Sequence, residues 1–146
     1  MKKLLYVLIM MLCLSLPALA GTPELARAIA RAEGYYVRGS KAARNNNPGN
    51  IRRGPDYVHF KTKQEGWDAL TDLLTKVADG RSRVYNTDMT LRDFGKRYAQ
   101  SKVWAKNVAK MVGATPDTRM WEILDTPPKV VLPSTIKLKD IFRKAA

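Results

Sequence analysis

Two neighbouring stretches carry the residue types that could do chemistry. Ala28-Ile29-Ala30-Arg31-Ala32-Glu33-Gly34 is a short apolar helix pattern ending on a carboxylate, and Arg44-Asn45-Asn46-Asn47-Pro48-Gly49-Asn50-Ile51 is an amide-rich loop leading towards a strand. A carboxyl group on an apolar face is partly desolvated, which favours the form that keeps its proton. Such an acid can hand that proton to a glycosidic oxygen. Asn45, Asn46, Asn47 and Asn50 are neutral donors and acceptors, suited to sugar hydroxyl and acetamido groups and to orienting the acid. Tyr35, Tyr36, Tyr57 and Tyr85 sit in or beside loops and are candidates for stacking on sugar rings. Glycosidases ordinarily use two carboxylates, and Asp56, in the turn of a short hairpin, is the candidate partner across a groove.

Each residue also has a structural reading. Glu33 at the edge of its stripe could simply pair with an arginine. The asparagine loop could be a turn cluster that satisfies its own backbone. Gly54-Pro55-Asp56 is an ordinary turn sequence, and Glu65 belongs to a capping box with Thr62. Trp67 and Trp104 lie on apolar stripes and read as core. One acid without a firm second still suffices if the sugar's own 6-hydroxyl replaces water and the same residue serves as acid, then base. That is the logic of a lytic transglycosylase.

The elements that must position these groups follow from periodicity and caps. Thr22-Pro23-Glu24 opens a helix, with Thr22 as cap, Pro23 as the first helical residue and Glu24 near the positive end of the dipole. Leu25, Ile29 and Glu33 then share one face and Gly34 ends it. Tyr35 to Ala43 reads as loop. Pro48-Gly49 suits a type II turn with Gly49 at positive φ. Residues 51–53 and 57–60 form a hairpin around Gly54-Pro55-Asp56. A helix runs from the Thr62 cap to about Ala78, with Trp67, Leu70, Leu73, Leu74 and Val77 inward and Asp79-Gly80 closing it. Thr90 caps a helix to Tyr98, Ser101 starts another ending at Gly113, and Thr115-Pro116-Asp117 caps a short one reaching Leu124. The expected fold class is α+β, mostly helical.

The chain has 146 residues and a net charge of +13, enough for one domain. Lys2 and Lys3, the apolar run Leu4–Leu16 and the small-x-small end at Ala20 read as a signal peptide over residues 1–20, which carries away Cys13, the single cysteine. Residues 21–125 form the domain and 126–146 a tail in which Lys137–Lys144 could make a brief basic amphipathic helix touching a membrane surface. The 26 basic side chains less Lys2 and Lys3 leave 24 against 13 acidic, a net +11. An exported protein so basic is drawn to polyanions. Inside a cell envelope these are wall polymers and anionic membrane surfaces. Nucleic acid is the rival, but no recognition helix or stacking motif speaks for it. Without cysteine and with one histidine, His59, no structural zinc site is expected, and the chemistry above needs no cofactor.

The helix-end Glu33, the Asn45–Ile51 loop, a hairpin, then Phe60 followed by Glu65-Gly66-Trp67-Asp68-Ala69-Leu70 resemble the lysozyme-like superfamily, nearest its small lytic transglycosylase-like and phage-type wall-degrading domains. The resemblance spans roughly residues 22 to 75. It implies a lysozyme-like fold with a small β-hairpin lobe, cleavage between N-acetylmuramic acid and N-acetylglucosamine, and Glu33 as the catalytic residue. The transglycosylase pattern has Glu-Ser where this chain has Glu33-Gly34, and its Gly-Leu-Met-Gln motif is absent. The expected function is that of a monomeric periplasmic or secreted peptidoglycan-cleaving enzyme. The alternatives are a hydrolytic muramidase or glucosaminidase, a non-catalytic wall-binding module on the same fold, and an exported toxin acting through charge.

Overall fold

The computed structural model describes residues 21–126; the expected signal peptide and all but the first residue of the expected tail lie outside them. The described chain is α+β and mostly helical. In order it runs α1 (Thr22–Ala32), α2 (Lys41–Arg44), β1 (Arg52–Arg53), β2 (Asp56–Tyr57), α3 (Lys63–Ala78), α4 (Leu91–Tyr98), α5 (Trp104–Val112) and α6 (Met120–Ile123). No helix among the described residues is long and apolar enough to cross a membrane.

The apolar stripes meet in one core. Leu25 and Ile29 of α1, Leu70, Leu74 and Val77 of α3, Leu91 and Phe94 of α4, Val108 of α5, and Met120 and Ile123 of α6 are all fully buried. Burying a side chain of that size contributes about 1.5–3 kcal/mol. Helix α1 packs on α3 and α5, and α5 also packs on α4. Trp67 and Leu73 lie partly buried at the margin of this core.

Helix α1 begins one residue earlier than expected. Gly21 is its cap and Thr22 already lies inside it; no side chain caps it, and Pro23 falls in the first turn. Its end is as expected. Gly34 has φ of 74°, and the amides of Gly34 and Tyr35 donate to the carbonyls of Arg31 (3.1 Å) and Ala30 (2.9 Å). This is a Schellman termination, and it fixes Glu33 as the last half-helical residue.

The segment expected as loop between Tyr35 and Ala43 contains α2, whose cap Ser40 accepts from the Ala43 amide at 3.1 Å. Helix α2 ends in a second Schellman motif, with Asn46 (φ 49°) where glycine is usual. The amides of Asn46 and Asn47 donate back to Ala43 and Ala42. Asparagine tolerates that left-handed conformation better than most residues.

The turn at Pro48-Gly49 is not type II. The Asn50 amide donates to the Asn47 carbonyl at 3.0 Å, but the positive φ falls on Asn50 (45°), not on Gly49. Glycine is required at 49 for room: a Cβ there would lie 2.7 Å from the Tyr98 hydroxyl and 2.9 Å from Leu70 Cδ1.

The hairpin is tighter than expected. Asp56 belongs to β2, opposite Arg53, and Arg52 faces Tyr57. That leaves a two-residue loop, with Gly54 at φ 63° and Pro55 pre-set for the second position. Thr62 caps α3 through the Glu65 amide (3.1 Å), but the Glu65 carboxylate returns to the amide of Lys61, one residue before the cap. Thr90 caps α4 as expected. Helix α5 starts at Trp104, because residues 101–103 form a turn first, and it ends at Gly113 (φ 70°). The last helix starts at Met120, after a turn in which Thr118 bonds back to Thr115.

Candidate functional site

Glu33 projects from the C-terminal end of α1 into a cleft of about 220 Å³ between the hairpin and the segment joining α4 to α5. Each of its carboxylate oxygens holds one donor. Trp104 Nε1 donates to Oε1 at 2.8 Å, and Asn50 Nδ2 donates to Oε2 at 2.9 Å. The donors lie 17 and 71 residues further along the chain than Glu33, and each holds one carboxylate oxygen. An ionised carboxylate has about four acceptor positions, so lone pairs remain for a proton or a ligand. Among the described residues no arginine pairs with Glu33.

Each clamp has its own support. Asn50 closes the Asn47–Asn50 turn at positive φ, and its Oδ1 is buried with no partner among the described residues. The ring of Trp104 is buried, 5.3 Å between centroids from Tyr98 and 6.1 Å from Phe94. Tyr98 packs beside Phe94 in turn and donates its hydroxyl to the Gly49 carbonyl at 2.5 Å. Burial pushes the Tyr98 phenol well above its ordinary range, and the nearby Glu33 and Tyr85 add to that. The loop, the acid and the aromatic cluster form one connected unit.

The expected site residues separate into two groups. Glu33, Asn50 and Tyr57 line the cleft. Arg52 and Lys41 flank the Tyr57 ring, at 4.6 and 4.3 Å from its centroid, and Arg52 also donates to its hydroxyl at 2.6 Å. The other asparagines build the loop. Asn47 is fully buried, donating to the carbonyls of Ile51 and Val58 (both 2.9 Å) and accepting from the Ile51 amide (2.8 Å). Its amide ties the two sides of the hairpin base together and leaves nothing for a ligand. Asn46 donates to the Phe60 carbonyl at 3.1 Å, and Asn45 accepts the Phe60 amide with its backbone.

Tyr35 is half-buried edge-on to Trp67, with centroids 5.7 Å apart, and Tyr36 is exposed beside it; neither lines the cleft. Tyr85 packs 4.4 Å from Phe94 between centroids and lines a separate hollow beyond the hairpin. Asp56 is exposed on β2 and is not part of the cleft wall. Among the described residues Glu33 is the cleft's one carboxylate.

Sequence reasoning missed the part of the cleft wall contributed by Tyr98, Gln100, Ser101 and Trp104. The available signal was weak. An indole N–H or phenol on a buried stripe needs a polar partner, and in an apolar interior Glu33 is a natural one, but nothing in the spacing shows that residues 33 and 104 meet. No three His, Cys, Asp or Glu side chains converge among the described residues. No family model, curated protein or solved structure matches this chain.

Proposed function

We propose that the protein is an exported peptidoglycan-cleaving enzyme of lysozyme-like fold, a lytic transglycosylase acting between N-acetylmuramic acid and N-acetylglucosamine with Glu33 as its acid and base. The observation that carries this reading is the clamped, solitary carboxylate. Glu33 is held by Asn50 and Trp104 in a cleft without a second carboxylate among the described residues. The helix-end acid beside a small hairpin lobe, packed on a helical body, supports the fold assignment.

The chemistry follows from one group used twice. Protonated Glu33 donates to the glycosidic oxygen, and the C1–O bond breaks with positive charge developing on the sugar ring. The 6-hydroxyl of that sugar then attacks C1. The Glu33 carboxylate takes the hydroxyl proton and is returned to its starting form. The product is a 1,6-anhydro sugar and no water is consumed. The Asn50 and Trp104 donors hold the carboxylate in place through both proton transfers.

The test is mass spectrometry of soluble products released from purified peptidoglycan by the wild type and by Glu33→Gln. Products one water lighter than hydrolytic fragments, absent in the variant, are expected. Fully hydrated reducing ends would assign a hydrolytic muramidase or glucosaminidase instead. Undiminished cleavage by Glu33→Gln would overturn the role of Glu33, and wall binding without products would make the chain a binding module.

A further inference from the structure

A second hollow, about 480 Å³ in volume, lies directly beside the Glu33 cleft, and the two share Ala99, Gln100 and Ser101 as a common wall. Its apolar surface comes from Gly95, Ala99, Ala105 and Pro116. Its charged lining is cationic throughout: Arg92 and Lys96 from α4, Lys102 from the connecting turn and Lys106 from α5. Two of these are partly neutralised. Arg92 pairs with Asp117 at 2.9 and 3.0 Å, and Lys96 with Asp93 at 3.1 Å. Lys102 and Lys106 make no ion pair among the described residues and are exposed. The lining contains no aromatic side chain, so it offers nothing for a nucleobase to stack on.

We propose that this hollow is a subsite for the carboxylates of the short peptide carried by the muramic acid unit, with Lys102 and Lys106 as its anion-binding residues. The inference rests on the function proposed above. A glycan strand seated at Glu33 places its peptide branch beside the cleft, and the 99–101 wall is three residues of chain, at most about 10 Å. A peptide of two or three residues crosses that distance. Small apolar surfaces suit alanine methyls, and two ammonium groups without an ion pair among the described residues suit carboxylates that lie near one another. The subsite would select peptide-bearing strands over bare glycan.

The test is isothermal titration of the full chain with three probes: a muramyl tripeptide with free carboxylates, the same compound with its carboxylates amidated, and chitotetraose. Wild type and the double variant Lys102→Ala/Lys106→Ala are compared. Both substitutions are at exposed positions outside the Glu33 clamp. The free tripeptide is expected to bind the variant roughly fivefold more weakly. The amidated compound should bind wild type with a similar loss, and chitotetraose should not distinguish the two proteins.

No tripeptide binding, equal affinity for the amidated compound, or equal affinity of the variant for the free tripeptide would overturn the subsite. Cleavage of peptidoglycan that persists alongside such a result leaves the Glu33 reading standing. Conversely, carboxylate-dependent binding lost in the variant, with no cleavage by wild type, upholds the subsite and removes the catalytic reading.

Discussion

Trp104 fills core volume against Tyr98 and Phe94, and it also presents the one indole N–H that reaches Glu33 Oε1. The two roles can be separated. Trp104→Phe keeps an aromatic ring in the cluster but removes the donor, so under the proposed mechanism it acts through the orientation of Glu33. A hydrogen bond to a charged group is worth about 1.5–3 kcal/mol. If that bond is needed to aim the carboxylate during proton transfer, kcat should fall at least about tenfold with KM nearly unchanged. The smaller ring also costs roughly 1–2 kcal/mol of folding stability, so the thermal midpoint falls while the variant remains folded at assay temperature. Steady-state kinetics on soluble wall fragments, with a melting curve of the same sample, checks both. A kcat within twofold of wild type would reduce Trp104 to a packing residue.

At the scale of elements, the asparagine loop is held against the first turn of α3, and Gly66 makes that contact possible. A Cβ at position 66 would stand 1.8 Å from the Asn46 carbonyl oxygen and 2.9 Å from Pro48 Cδ. On an open helix surface, Gly→Ala would stabilise by about 0.5–1 kcal/mol. Here the obstacle is backbone, which cannot rotate aside, so Gly66→Ala should destabilise by about 3 kcal/mol or more and loosen the loop carrying Asn50. Urea denaturation measures the loss directly; a variant as stable as wild type would mean the loop does not dock on α3.

The same region shows what the sequence made legible. Helices with wide apolar stripes and cap residues, such as α3 and α4, were readable to within a residue because stripe and cap agree. Glu33 was legible as the oddity at the end of a stripe. The roles within the Asn45–Asn50 run were not. Side-chain type cannot tell Asn47, bonded to the hairpin base, from Asn50, bonded to Glu33; only the fold decides which amide faces the cleft. Gly49 was read for its φ, whereas what it supplies is space for Tyr98. The donors from α4 and α5 were illegible for a related reason: nothing local to residues 98–104 records that they pack beside residue 33.

On the scale of the whole molecule, the cleft and the core are parts of one structure, and Tyr98 links them. Its ring belongs to the aromatic cluster with Phe94, Tyr85 and Trp104, while its hydroxyl holds the Gly49 carbonyl of the loop. This linkage gives folding a particular alkaline behaviour. Burial first, then the negative charge of Glu33, raises the phenol above its ordinary value of 10.0. Below about pH 10 both folded and unfolded chains keep the proton, and Tyr98 adds no pH dependence. Above it the unfolded chain loses the proton first, so stability falls as pH rises, by up to about 1.4 kcal/mol per pH unit for this one group, until the raised folded value is passed. Tyr98→Phe keeps the ring and removes the titrating group. It should lose about 1 kcal/mol at neutral pH with the Gly49 bond, yet decline less steeply than wild type between pH 10 and 11. Unfolding free energies from urea titrations across that interval decide it. Parallel curves for the two proteins would mean that the Tyr98 hydroxyl meets water in the folded chain, and that the loop is not tied to the core through it.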